Sequence, residues 1–106
     1  MQIKLGAHRI PVREIDQESL DELWDGDESK KPLGLCFLRH NGGYEIWVAD
    51  WLKGVARVSI FSHEIVEAVN EIYELGLPHD KVTLVGEVIT QLILDNKRAV
   101  KETFGL

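Results

Sequence analysis

The apolar residues of this chain change their period once, and that change constrains the fold more than any other feature. Up to residue 54 they fall in short runs interrupted by Gly, Pro and charge. From residue 55 to 96 they recur at steps of three and four. Short runs bounded by turn residues read as strands, and the longer spacing reads as one face of a helix. Strands followed by helices, instead of alternating with them, predict an α+β domain. The expected architecture is a small, mainly antiparallel β-sheet of three to four strands followed by two packed helices.

Ile3, Leu5, Ile10, Val12 and Ile15 suggest one or two short strands with a turn at Gly6-Ala7. Pro11 has no N–H to give a ladder, which argues for an edge position. Residues 17–24 carry Leu20, Leu23 and Trp24 at helical spacing and read as a short helix or ordered loop, followed by a polar loop. The runs 33–39 and 44–51 flank His40-Asn41-Gly42-Gly43, and Asn-Gly between apolar runs predicts a hairpin because both residues tolerate positive φ. Val58, Phe61, Ile65, Ala68 or Val69, Ile72 and Leu75 form one stripe of a helix over 55–76, with Gly76 at its C-terminal cap and Pro78 beyond. Asp80 is expected to cap a second helix whose buried stripe is Val82, Val85, Ile89, Leu92 and Ile93. The last ten residues suit a short helix or a strand equally.

A length of 106 residues is that of one domain, 1–106. Acids exceed bases by 18 − 12 = 6, and a net charge of −6 repels a phosphate backbone, so nucleic acid is not an expected partner. The longest apolar run falls far short of the ~18 residues that span a bilayer, and no signal peptide is apparent, so the chain reads as soluble and cytoplasmic. The lone Cys36 reads as a small buried thiol and cannot build a multi-thiolate zinc cluster. Any metal is therefore held by His, Asp and Glu. Trp24, Trp47 and Trp51 serve to fill the core or to line a peptide groove, and His8 and His40 read as exposed. The acids Asp21, Glu22, Asp25, Asp27 and Glu28 lack the order of a calcium loop and read as a solvated, mobile face.

The stretch Ser62-His63-Glu64-Ile65-Val66-Glu67 carries the chemistry. His63 and Glu67 stand one turn apart on the same helix face, so both can point at one ion. The spacing is that of His-Glu-x-x-His zinc sites, in which the intervening Glu is the general base, with Glu67 in the second ligand position. Glu87, ten residues beyond a connector near 77, comes level with Glu67, ten residues before it. His79, at the connector, is a reserve ligand or a helix cap. Without a metal, His63, Glu67 and Glu87 form only a polar network between helices.

These residues resemble the minimal zincin-like metallopeptidases of the ImmA/IrrE type, in particular small phage and mobile-element proteins reduced to little beyond the protease core. The resemblance covers nearly the whole chain. It runs through the hairpin with Tyr44, Ile46 and Trp47, the helix with His63-Glu64-Ile65-Val66-Glu67-Ala68-Val69, and Glu87 followed by Gln91-Leu92-Ile93-Leu94-Asp95-Asn96. It implies a zincin-like core with Zn²⁺ held by His63 and Glu87, with Glu67 or His79 completing the set, and Glu64 as base. The expected function is a zinc peptidase acting on a peptide or protein substrate. The departure is Glu67, which stands where such proteins have their second His. It opens a second expectation, an inactive zincin-fold module that binds or inhibits a host protein.

Overall fold

The computed structural model describes residues 1–24, 26, 29 and 31–105, and Asp25, Asp27 and Glu28 of the acidic run lie outside the described residues. The N-terminal half forms β1 (Gln2–Leu5), β2 (His8–Ile15), α1 (Gln17–Leu23), β3 (Gly34–Leu38) and β4 (Tyr44–Ala49). The helical half forms α2 (Gly54–Ile72), α3 (His79–Asp95) and α4 (Lys97–Phe104). The α+β class expected from the sequence is the one observed. The terminal segment, compatible with helix or strand, is a helix.

The four strands lie in the order β1-β2-β4-β3. β1–β2 and β3–β4 are antiparallel, whereas β2 and β4 run parallel from Val12↔Ile46 to Ile15↔Ala49. The sheet is therefore mixed. β1 and β3 form its edges, and Pro11 lies in an interior strand, against the expectation of an edge. Val12 gives its N–H to Met1 O at 2.8 Å, so by alternation the nitrogen of Pro11 faces β4, one residue before that ladder begins. The missing donor falls just outside the pairing, which is why proline is tolerated.

The Asn-Gly hairpin forms as expected. Gly42 adopts φ 86°, and the Asn41 side chain accepts the Gly43 N–H at 3.0 Å. α1 starts on Asp16, whose carboxylate accepts the Ser19 N–H at 3.1 Å and the Ser19 hydroxyl at 2.8 Å. The core comprises Ile10, Val12, Leu20, Ile46, Val48, Ala49, Leu52 and Ala68. Phe61, Ile65 and Ile72 of α2 pack against it, so one side of that helix covers the sheet.

α2 ends at Ile72, four residues before Gly76, and the turn that follows holds Glu74 at φ 51° and Gly76 at φ 67°. α3 begins at His79 with Pro78 in the cap position, two residues earlier than a cap at Asp80 would set it. Its buried line is Val82, Gly86 and Thr90, in place of the expected Val82, Val85, Ile89, Leu92 and Ile93. Only Val82 is common to both. The cause is Gly86, at which an added Cβ would meet His63 Cα at 3.1 Å. The two helices approach most closely at this small residue, which rotates Val85 and Leu92 outward.

Candidate metal centre

His63 and Glu67 project from the same side of α2, and the start of α3 brings His79 to them. Glu67 Oε1 lies 3.5 Å from His63 Nε2 and 3.6 Å from His79 Nδ1. The two imidazoles meet edge to face at a centroid distance of 5.2 Å. One ligand atom from each of the three residues lies within 4.8 Å of the others. Hydrogen bonds between such groups cluster at roughly 2.7–3.2 Å, so these contacts are long for direct bonds. Two ligands each ~2.1 Å from a tetrahedral zinc are about 3.4 Å apart, which is close to both measured separations.

The connector that delivers His79 is pinned by a residue the sequence reading did not single out. Asn70 donates from Nδ2 to Leu77 O at 3.0 Å and accepts the Leu77 N–H on Oδ1 at 2.9 Å. This pair imitates a strand contact and fixes the chain two residues before His79. An Asn in the last turn of a helix, followed by Gly and Pro, was the available signal, since such a side chain readily bonds nearby backbone.

Glu64 is buried beside the cluster. Gly34 of the edge strand β3 makes room for it, because a Cβ there would meet Glu64 Cγ at 3.1 Å and Ile60 Cγ2 at 2.7 Å. Among the described residues no donor bonds its carboxyl group. Burial, and then the negative charge of Glu67, push its pKa up to about 8. Burial also lowers the pKa of His63, against the opposing pull of Glu67, which favours the neutral imidazole that binds metals.

His63, Glu64, Glu67 and His79 line one cavity of about 490 Å³, whose opposite wall is Trp24 and residues Pro32 to Cys36. Cys36 is half-buried, and burial with the charges of Glu64, Glu67 and Glu71 pushes its thiol up to about 12. It packs as a neutral thiol. Of the three tryptophans, Trp24 alone lines this cavity. Trp47 stacks edge-on against Phe37 at 5.2 Å, and Trp51 donates to Gln17 Oε1 at 2.9 Å on the surface. His8 and His40 are exposed.

Glu87 is not brought to the cluster. It follows Gly86, which occupies the interface with α2, and so it is turned about 100° round α3 from that contact and is exposed. Level height along two antiparallel helices does not ensure a shared face. The donors that do converge are two imidazoles and one carboxylate, the set that three-ligand catalytic zinc sites use when the fourth position is open. Among the described residues no helix is long and apolar enough to cross a membrane. Comparison with protein-family models, with curated proteins and with solved structures found no match to this chain.

Proposed function

We propose that this chain is a zinc-dependent hydrolase of peptidase type, with His63, Glu67 and His79 as metal ligands and Glu64 as general base. The observation that carries the reading is the Glu67 carboxylate set between two imidazoles at 3.5 and 3.6 Å, beside a buried carboxyl with no donor among the described residues. Glu67 in place of a second His does not change the donor chemistry, because His79 supplies the imidazole from another element. A zinc ion on such a set supplies Lewis acidity and makes water nucleophilic near neutral pH. Glu64 would serve as the base, holding at its carboxylate the proton of the attacking water and passing it to the leaving amine. A nearby cation favours its ionised form, so its role as base depends on the metal.

β3 forms the cavity wall facing α2 and is an edge strand. An extended peptide can add to such an edge through its backbone, which suits the peptide or protein substrate that the sequence resemblance implies.

Elemental analysis of the purified protein tests the metal. About one equivalent of zinc is expected, lost in His63→Ala and His79→Ala and retained in Glu64→Gln and Glu87→Gln. Less than about a tenth of an equivalent after incubation with zinc sinks the reading. Hydrolysis of a denatured protein or a peptide library should fall at least ~100-fold in Glu64→Gln with zinc still bound. Full zinc occupancy with no hydrolysis would leave the inactive binding module in its place.

A further inference from the structure

α3 is apolar on two opposite faces. One packs on α2 through Val82, Gly86 and Thr90. The other presents Leu84, Val88 and Leu92 to solvent at 52%, 55% and 54% exposure, with Val85 beside them. At about 100° per residue Val88 lies roughly 200° round the helix from Gly86, so the second face points directly away from the domain. A helix apolar all round belongs in an interior, and a contiguous patch of this kind marks an interaction surface.

The charges at the ends of this face identify its occupant. Lys81 stands in the first turn and Asp95 is the last residue, and neither has an ion-pair partner among the described residues. Each is at the unfavourable end of its own helix dipole, a cation at the N-terminus and an anion at the C-terminus. A second α3 running antiparallel with its two-fold axis at Val88 reverses both. Its positions pair by a constant sum: 81 with 95, 84 with 92, and 88 with itself. Lys81 then faces Asp95 of the copy near that helix's C-terminus, Leu84 faces Leu92, and the two Val88 side chains meet. Two-fold interfaces require this self-complementarity, whereas an unrelated partner does not.

We infer that this face of α3 is the homodimer interface, an antiparallel helix pair centred on Val88 and closed at both ends by Lys81–Asp95 pairs. Analytical ultracentrifugation between about 1 and 200 μM tests it, over the range in which modest interfaces dissociate. The wild type should sediment as a dimer of the 12.1 kDa chain. Val88→Glu should weaken dimerisation at least ~100-fold with an unchanged helical spectrum, since Val88 touches nothing in its own core. Lys81→Asp should weaken it about tenfold, and Lys81→Asp with Asp95→Lys should restore it to within about threefold. A monomer at 200 μM, or a dimer indifferent to Val88→Glu, overturns the interface. Failure of the double exchange to rescue overturns the antiparallel register.

Discussion

Gly86 of α3 lies against the backbone of His63 on α2, so that a single added Cβ would stand 3.1 Å from His63 Cα. The helix pair that carries the proposed metal ligands is thus set by the smallest residue at its closest point. Gly86→Val forces backbone away from backbone, and overpacking of this kind costs about 1–3 kcal/mol. Denaturant unfolding should show that loss. Zinc titration should show at least a ~10-fold lower affinity, because His79 recedes from His63 and Glu67 as α3 moves.

Asn70 holds the connector through two bonds to Leu77. Asn70→Ala leaves a part-buried N–H and carbonyl without partners and should cost about 1–3 kcal/mol. Asn70→Asp keeps the acceptor for the Leu77 N–H and loses the donor, so it should fall between wild type and Ala. Zinc affinity should follow the same order. Equal affinity in all three would mean that His79 is placed without the connector.

The metal-free protein should lose stability as pH rises through the range set by Glu64. A carboxyl moved up from 4.5 to about 8 by burial keeps its proton in the folded state where the unfolded chain has released it. The folded state binds more protons between those values, so stability falls from about pH 4.5 to about pH 8 and levels beyond. The change is on the order of 5 kcal/mol. Urea unfolding of the chelated protein at pH 5 to 9 measures it, and Glu64→Gln should flatten the profile and be the more stable protein at pH 8.

Cys36 should resist alkylation. With its thiol pushed up to about 12, the folded protein at pH 8 holds little of the reactive thiolate. Iodoacetamide should label it more than ~100-fold more slowly than in urea. Comparable rates would place Cys36 in a more open setting than the cavity wall.

What the sequence disclosed depended on distance along the chain. The Asn41-Gly42 hairpin and the His63–Glu67 pair are local, decided within a few residues by φ preference and helical period. His79 was ambiguous because its approach depends on the turn over 73–78 and on the two Asn70 bonds, neither of which a period reveals. Glu87 was selected by height along the helix, but rotation decides the face, and rotation was fixed by Gly86. The same glycine explains why Leu92 was expected inside and stands outside. Pro11 read as an edge residue because the sequence does not show where the β2–β4 ladder begins. That Glu67 and His79 both join His63, where one of them was to complete a pair of His63 and Glu87, was visible only after the helices had been packed.

The parallel pairing of β2 with β4 also governs how the chain folds. The β1–β2 and β3–β4 hairpins and the α2–α3 pair each join neighbours in sequence, whereas Val12 meets Ile46 across a separation of 34 residues. Bringing those strands together requires closing a loop whose entropy is lost before any ladder bond forms. The hairpins and helix pair can assemble first, and the sheet becomes continuous only when this loop closes. β3, which lines the cavity, packs on α2 directly and reaches β1 and β2 only through β4. His63, Glu67 and His79 and the wall that faces them thus rest on contacts between neighbours in sequence, and the one long loop closure of the chain serves the continuity of the sheet behind them.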